Sequence, residues 1–409
     1  MKKMPFLVVM FSFLVLSCEK KEIKPIDLKL FNYKVEYAKQ VREVVESFTA
    51  KYKGKYSIEI ETIPYEAQLV LEARLREKTG WDIIMIPPYS SIEKNASGGY
   101  LLDLSSQPFM QKIYDSVKPP VTYDGKVYAM PYGLSAYGVF YNKDIFAANQ
   151  LSVPKNIGEM KDIINRLQFN KIVPFSICGK DEWTSGYLFF SLIASSMGKE
   201  VDRWIESMNE GVSSFNNPKN DRVFEILDFY RANGGSNIKS IDYYVQMKNF
   251  ASGSTAMLVQ GFNEYNVMVD QNSKINAGIF AFPIDEASSS DLCVDVDFAF
   301  AISSNIDKEK TEGAIRFLDF LTNYETMELM SKGARIIFGV KDFASSGVTG
   351  DIKKYLDEGK IVNWAHRKIP AGVFEESKSR IKKYLTGETT KEEVSKNLDR
   401  VWRINIENR

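Results

Sequence analysis

Histidine and cysteine, the residues most used for catalysis and metal binding, are scarce here: 409 residues include one histidine and three cysteines. Zinc hydrolases need two or more histidines on one helix face, and serine or cysteine triads normally need a histidine base. The one histidine, His366, is flanked by Trp364, Arg367 and Lys368, which favours a surface or packing role. The scarcity therefore argues against histidine-based hydrolases and against capture of a transition metal.

Glycine-rich phosphate loops are also missing, because no G-x-x-x-x-G-K-[ST] pattern occurs. The segment GLSAYG at residues 133–138 has the wrong spacing for a G-x-S-x-G nucleophile elbow. The 53 basic residues balance the 53 acidic ones, and no basic stripe marks a nucleic-acid surface. We therefore expect no cofactor, no metal and no nucleic-acid partner. A glycosidase needs only two carboxylates about 5–10 Å apart, so that alternative stays open.

Long apolar runs are confined to the N-terminus: after residue 17, no stretch approaches the roughly eighteen residues of a membrane span. Lys2 and Lys3 precede an apolar stretch at 6–16, which at about 1.5 Å per residue spans about half of the hydrocarbon core. A basic start, a short apolar stretch and a small-residue end predict a secretory signal at residues 1–17. The mature chain is therefore expected to act outside the cytoplasm.

Residues 15–18, VLSC, resemble a bacterial lipobox, in which the cysteine is lipidated and becomes the new N-terminus. The resemblance implies a membrane anchor on Cys18, and the charged residues that follow suit a solvated tether at 18–27. An ordinary signal peptide with a chance cysteine is the alternative. Cys178 and Cys293 remain, and the sequence leaves open both a disulfide and two buried thiols.

Strands and helices alternate along the chain, which predicts an α/β fold class. Strands are predicted at 28–33, 58–63 and 81–86, with helices at 37–52 and 67–78 between them. This β-α-β-α-β order favours a right-handed, largely parallel sheet. Strands at 126–130 and 137–141 are predicted on either side of a turn at Pro131-Tyr132-Gly133. Further helices are predicted at 156–167, 186–197, 224–230 and 317–329, with a closing helix at 391–405.

The densest motifs lie in the middle of the chain. YDGKVYAMPYG at 123–133, followed by VFYNKD at 139–144, resembles the "dGkvyglPy" and "YNKdlf" patterns of the extracellular solute-binding proteins of family 1. Four weaker blocks occur in the expected order: GWDII at 80–84, FASGSTAM at 250–257, AIRFLDFL at 314–321 and GETTKEE at 387–393. Because the similarity extends from about residue 28 to residue 402, the sequence is identified as a member of this family.

The resemblance implies a two-lobed, type II periplasmic-binding-protein fold, with the ligand held between lobes that close about a hinge. Implied crossings lie near 134–138, 293–298 and 335–340. They divide the chain into an N-terminal lobe, 28–134 with 297–335, and a C-terminal lobe, 138–293 with 340–409. The family captures sugars for ATP-driven importers. A sugar ligand, a permease and its ATPase as partners, a monomer and no catalysis are therefore implied.

A sugar site needs aromatic faces for the C–H surfaces and fixed polar groups for the hydroxyls. In open α/β sheets, ligands gather outside the carboxyl ends of the strands, and the family's site loops map onto such positions. The candidates for ligand contact are Tyr33, Tyr65, Glu66, Tyr89, Ser135, Asp181, Trp183, Phe262, Asn263 and Phe374. Asn263 stands where relatives carry a stacking tryptophan, so the resemblance does not imply a maltodextrin preference.

Two further hypotheses stay open. The same fold binds a polyamine, an anion or a peptide in the second hypothesis, and Glu36, Glu66 and Asp181 are the carboxylates that a polyamine would use. The third is a surface glycosidase, which would turn over an oligosaccharide, whereas a binding protein returns the sugar unchanged.

Overall fold

The structure, a computed structural model, describes residues 24–64, 66–286 and 290–407. The predicted signal segment, Cys18 and Tyr65 lie outside the described residues. The strands are β1 (Ile26–Asn32), β2 (Tyr56–Thr62), β3 (Ile83–Ile86), β4 (Thr122–Tyr123), β5 (Lys126–Val127), β6 (Ala129–Asn142), β7 (Val173–Ser176), β8 (Thr255–Gly261), β9 (Ala277–Phe280), β10 (Leu292–Ile302), β11 (Ile337–Phe338) and β12 (Ile361–Val362).

The α-helices are α1 (Ala38–Lys51), α2 (Ala67–Glu77), α3 (Ser90–Ser97), α4 (Lys143–Ala148), α5 (Ile157–Phe169), α6 (Glu182–Met197), α7 (Val201–Asn209), α8 (Pro218–Ala232), α9 (Tyr243–Ala251), α10 (Tyr265–Gln271), α11 (Lys308–Leu321), α12 (Tyr324–Ser331), α13 (Gly347–Asp357), α14 (Ala371–Leu385) and α15 (Lys391–Glu407). The predicted α/β class is confirmed. In the described part of the chain, no helix combines the length and the apolar character that a membrane crossing requires.

The first three strands form the predicted parallel part of a larger sheet, here called the first sheet, and β3 pairs antiparallel with β10 at its border. β1 lies between β2 and β3 and runs parallel to both. All four side chains of β3 are buried, as its unbroken apolar run requires. α1 covers the sheet with an apolar face, from which Phe48 packs edge-on against Phe317 with ring centroids 5.2 Å apart. The carboxyl ends of the three strands therefore meet at one edge of the sheet.

Two long antiparallel strands, β6 and β10, connect the two halves of the molecule, with a bulge in β10 at Asp297. The predicted turn at Pro131-Tyr132-Gly133 is wrong, because these residues continue β6. Tertiary packing overrides the local turn signal. Tyr132 is fully buried, and Gly133 lies under the Phe298 ring, where an added Cβ would be 2.0 Å from Cε1. A glycine is therefore needed here because the Phe298 ring packs directly against the backbone, and not because the chain turns.

The predicted helix at 317–329 is also wrong, because it is divided between α11 and α12 at Thr322 and Asn323. The Thr322 hydroxyl donates to the carbonyl of Asp319 at 2.7 Å and accepts from Lys112 Nζ at 2.9 Å. A hydroxyl bonded to the preceding turn competes with continuation of the helix. Each of the other predicted helices overlaps a helix of the structure along most of its predicted length.

Two hydrophobic cores lie on either side of the β6–β10 pair. The first surrounds β1 and β3, and the second surrounds β7 with helices α5, α6, α8, α14 and α15. Adjacent residues divide between the cores: Val294 belongs to the first and Cys293 to the second, as do Ala136 and Tyr137 on β6. Leu292, on the other side of Cys293, and Phe140, beyond Tyr137, belong to the first core again, so each strand contributes side chains to both cores where hinge crossings are predicted. Cys293 and Cys178 are buried free thiols.

Candidate functional site

Two tyrosines beyond the carboxyl ends of β1 and β3 reach β10, which contains the predicted hinge crossing at 293–298. The Tyr33 hydroxyl donates to the carbonyl of Asp297 at 3.2 Å, and Lys34 Nζ binds both carboxylate oxygens of Asp297 at 2.9 and 3.0 Å. The Tyr89 hydroxyl donates to Asp295 Oδ2 at 2.6 Å. Burial, aided by the nearby aspartates, raises the pKa of both tyrosines, so both remain hydrogen-bond donors. The edge of the first sheet is therefore tied to the hinge.

Asp295 is a carboxylate without solvent exposure on β10, within the predicted crossing at 293–298. It accepts three hydrogen bonds: from the Tyr89 hydroxyl, from the backbone N–H of Trp364 at 2.9 Å, and from the backbone N–H of Val296 at 2.7 Å. Burial raises the pKa of Asp295, whereas Arg367 and these donors lower it. Because Tyr89 follows the first sheet and Trp364 packs in the second core, this one carboxylate links the two lobes.

A polar pair lies next to Asp295 on the neighbouring strand. Ser135 on β6, which is paired in register with Asp295, donates to Asn263 Oδ1 at 3.0 Å. The next residue, Glu264, accepts a hydrogen bond from the Tyr243 hydroxyl. Burial raises the pKa of Glu264, and the bond from Tyr243 acts in the opposite direction. Ser135 is buried and Asn263 is exposed, so the pair connects the hinge interior with the surface.

Five aromatic rings form a continuous surface, called the aromatic wall: Trp183, Tyr187, Tyr243, His366 and Phe374. Ring centroids are separated by 5.1 Å from Tyr243 to Trp183, 6.2 Å from Trp183 to Tyr187, 4.9 Å from Tyr187 to His366 and 5.0 Å from His366 to Phe374. Trp183 and Tyr187 share one face of α6 because they are four residues apart. All five residues are partly exposed, unlike the rings of the two cores.

Gly186 allows the two helices beneath the aromatic wall to approach closely. An added Cβ at this position would lie 2.8 Å from Lys378 Cγ and 3.4 Å from Phe374 Cε2. A larger residue would push α14 away from α6 and move Phe374 relative to Tyr187. The geometry of the wall therefore depends on this glycine.

The hinge groups and the aromatic wall belong to one closed ring of contacts, called the contact ring. In order, its members are Ser135, Asn263, Glu264, Tyr243, Trp183, Tyr187, His366, Trp364 and Asp295. Neighbours are joined by a hydrogen bond, an aromatic contact, a peptide bond or strand register. Six separate segments of the chain thus connect an aromatic side and a polar side by direct contacts.

A cavity of about 630 Å³ adjoins the contact ring. Tyr89, Pro120 and Tyr123 line it on one side, and His366 and Phe374 line it on the other. Ligand pockets usually measure about 300–1,000 Å³. The aromatic wall therefore continues into a space between the lobes that is large enough for a small organic molecule.

The structure brings six predicted site residues to the hinge and the aromatic wall. Ser135, Asn263 and Trp183 belong to the contact ring, Phe374 to the wall and cavity, and Tyr89 and Tyr33 to the loops bonded to β10. Ligand contact by these six residues stays a prediction.

The other predicted residues are placed differently. Phe262 is 3% exposed in the first core and stacks on Tyr265 with centroids 6.1 Å apart. Glu66 is exposed at the start of α2, where its φ of 52° is left-handed. The Asp181 carboxylate accepts the backbone N–H of Tyr243 at 2.7 Å, so it supports the aromatic wall from behind. Tyr65 lies outside the described residues.

Six members of the contact ring and wall were not identified as site residues from the sequence: Tyr187, Tyr243, Glu264, Asp295, Trp364 and His366. A sequence signal exists for Tyr187, because a spacing of four from Trp183 on a predicted helix face places both rings together. The others come from distant segments without a local pattern, and only the fold brings them to the site.

His366 is expected to make the folded chain less stable in acid. Burial, with Arg367 nearby, lowers the pKa of His366 from 6.5 to about 3. The unfolded chain takes up a proton near pH 6.5 and the folded chain only near pH 3, so stability is lost as the pH falls between these values. The free energy of unfolding should therefore decrease between pH 7 and pH 5. We expect His366→Phe to make this decrease smaller by up to about 2 kcal/mol.

Urea unfolding of both chains at pH 7 and pH 5 measures this difference. His366 is the only histidine of the chain, so no second histidine contributes. Identical pH dependence of the free energy of unfolding in the two chains would contradict the expected result.

Known proteins resemble the chain over most of its length. A sequence profile described as bacterial extracellular solute-binding protein matches residues 43–355. The multiple sugar-binding protein of Streptococcus mutans is 24% identical over 328 residues, covering 78% of this chain and 77% of that protein. The apo form of RafE from Streptococcus pneumoniae superposes with a TM-score of 0.82 at 22% identity, covering 94% of this chain and 98% of RafE.

RafE in complex with raffinose also matches, with a TM-score of 0.72 at 22% identity over 93% of this chain and 100% of that one. At this identity the structural matches establish the fold. They confirm the predicted two-lobed, type II periplasmic-binding-protein architecture.

Proposed function

Because this chain belongs to the bacterial extracellular solute-binding proteins, we propose that it captures a carbohydrate between its lobes and delivers it to an ATP-driven importer. The contact ring is the observation that carries this proposal, since it combines an aromatic wall with a polar hinge edge. A sugar has the matching surface, with apolar C–H faces and a rim of hydroxyl groups. The sugar-binding relative and the raffinose complex of RafE support the same ligand class.

The charges around the contact ring favour a neutral ligand over a polyamine. Asp297 is paired with Lys34, Asp295 accepts three hydrogen bonds, and Glu264 accepts from Tyr243. Lys34 neutralises Asp297, and burial raises the pKa of Asp295 and Glu264 and so disfavours their charged forms, which leaves little unpaired negative charge for a polycation. A sugar hydroxyl needs no such charge, because it only donates and accepts hydrogen bonds.

Delivery is proposed to depend on hinge closure and on a membrane anchor. The family is extracellular, so the chain acts outside the cytoplasm. Closing the lobes about β6 and β10 would enclose the sugar and present a new outer surface to the permease. We also propose lipidation of Cys18, with the residues between it and the start of β1 as the tether, and a monomer as the form that docks on the permease and its ATPase.

Isothermal titration calorimetry of residues 24–409, which contain every described element, tests the proposal with mono- and oligosaccharides, spermidine and a short peptide. Saturable binding of a saccharide supports it. Binding of spermidine or the peptide alone would overturn the ligand class while leaving the fold unchanged. Chromatography of the sugar after incubation distinguishes capture from hydrolysis, because a binding protein returns the sugar intact.

Asp181 is expected to hold the rings of the aromatic wall in place without contacting the ligand itself. It lies two residues before Trp183 and accepts the N–H of Tyr243, and these two rings are 5.1 Å apart. Asp181→Ala removes the acceptor that holds the two turns together, so we expect sugar affinity to fall about 5- to 10-fold. Asp181→Asn keeps a carbonyl oxygen and should restore most of the affinity.

Calorimetry measures the affinities, and the tryptophan emission spectrum reports the surroundings of Trp183. A purely structural role would lower the melting temperature of both variants without this rescue. Equal sugar affinity in the alanine variant and the unmodified chain would contradict the positioning role.

A further inference from the structure

We propose that the captured carbohydrate is an oligosaccharide of three or more sugar units, and that its outer unit rests on Tyr244. This inference builds on the proposed carbohydrate capture and concerns the length of the ligand. Two observations carry it: the extent of the aromatic wall and the exposure of the ring at its outer end.

The aromatic wall continues beyond Tyr243. The ring of Tyr244 lies 5.1 Å from that of Tyr243, and Tyr244 is 69% exposed. The neighbouring Val245 is 40% exposed. A partly buried wall that ends in exposed aromatic and aliphatic surface is typical of an interaction surface.

The local structure explains why Tyr244 is exposed. α9 begins at Tyr243, and the preceding Asp242 accepts the backbone N–H of Val245 at 3.0 Å, which fixes the first helical turn. This helix buries Gln246 and Met247 instead. Since the fold makes little use of the Tyr244 side chain, its removal should not change the melting temperature.

The extended wall is longer than one sugar. Phe374 lines the cavity at one end and contacts Tyr187 directly, with centroids 5.0 Å apart. From Tyr187 the wall continues through Trp183 and Tyr243 to Tyr244 in steps of 6.2, 5.1 and 5.1 Å. A pyranose ring is similar in size to one aromatic ring, so a monosaccharide covers only one or two of these steps. Full use of the wall requires several linked sugars.

The polar groups follow the same path. Glu375 lines the cavity beside Phe374, whereas Glu264 is bonded to Tyr243 near the exposed end. Acceptors are therefore available along the wall and not at one point, as the hydroxyl groups of successive sugar units require.

The experiment is calorimetry of residues 24–409 with two series of increasing length: galactose, melibiose, raffinose and stachyose, and glucose, maltose, maltotriose and maltotetraose. In the series that binds, we expect the affinity to rise at least about 10-fold from the disaccharide to the trisaccharide. Tyr244→Ala should lower affinity for the tri- and tetrasaccharide about 5- to 10-fold and leave the shorter sugars unchanged. Tyr244→Phe keeps the ring and should bind as the unmodified chain does.

Phe169→Ala is the matched control, because Phe169 is an 86% exposed ring at the end of α5. It should change none of the affinities. A monosaccharide that binds as tightly as the longer sugars would overturn the inference and leave carbohydrate capture intact. An equal loss of affinity for every sugar in Tyr244→Ala would also overturn it. No detectable binding of any sugar in the two series would overturn the proposed function together with the inference.

Discussion

Trp183→Ala is expected to lower the affinity for the captured sugar about 30- to 140-fold, a loss of about 2–3 kcal/mol. Trp183 occupies the middle of the extended aromatic wall, between Tyr243 at 5.1 Å and Tyr187 at 6.2 Å. Its removal takes away the largest apolar face that a sugar can cover and separates the two neighbouring rings. Calorimetry measures the effect, because the substitution also removes a fluorescent reporter.

Trp183→Phe is the conservative partner of this variant and should recover a large part of the affinity. The melting temperature of the free chain should change little in either variant, since Trp183 is partly exposed and starts a helix that is held by its buried face. Unchanged sugar affinity in Trp183→Ala would show that the sugar does not use the wall. Ligand placement in the contact ring would then be wrong.

Asp295→Ala is expected to lower the free energy of unfolding by about 3–5 kcal/mol. The substitution leaves three buried donors without their acceptor: the Tyr89 hydroxyl and the N–H groups of Trp364 and Val296. Because these donors come from the first sheet, the second core and the hinge strand, the loss also loosens the connection between the lobes. Urea unfolding of residues 24–409 without ligand measures the change.

Asp295→Asn keeps one carbonyl oxygen in the same place, so it should lower the free energy of unfolding less than the alanine substitution does. This variant can be measured even if the alanine variant does not fold. Asp202→Ala is the control, because Asp202 is an exposed carboxylate whose partner is Lys368. It should change the free energy of unfolding by less than about 1 kcal/mol. An unchanged urea midpoint in Asp295→Ala would contradict the role of Asp295 as a link between the lobes.

The sequence predicts most of the first sheet, because its signals are local. The strand at 81–86 is apolar on both faces, and the helix at 37–52 repeats its apolar residues at a helical spacing. The two errors arose where tertiary contacts outweigh local preference. Gly133 and Pro131 indicate a turn, but burial of Tyr132 in the first core holds them in a strand. Thr322 divides a continuous apolar helix pattern through a hydroxyl bond to Asp319.

In the candidate site, too, local motifs predicted some features and tertiary contacts decided the others. Ser135, Trp183 and Asn263 were identified from their motifs, and the structure places all three in the contact ring. Asp181 looked equivalent to them in the sequence, yet its carboxylate accepts the N–H of Tyr243. Phe262 is one residue from Asn263 but is buried in the first core. Sequence motifs locate a loop, whereas the direction of each side chain depends on what packs against the loop.

The sequence by itself determined the α/β class, the family and the loops from which a site is built, because periodicity and motifs are properties of short segments. Only the tertiary structure decided which side chains meet. The contact ring draws on six segments that are far apart in the chain, and Asp295 acquires its three donors only when β10 lies between the lobes. Burial and distance between remote groups decide such contacts, and neither quantity is a property of a local stretch of sequence.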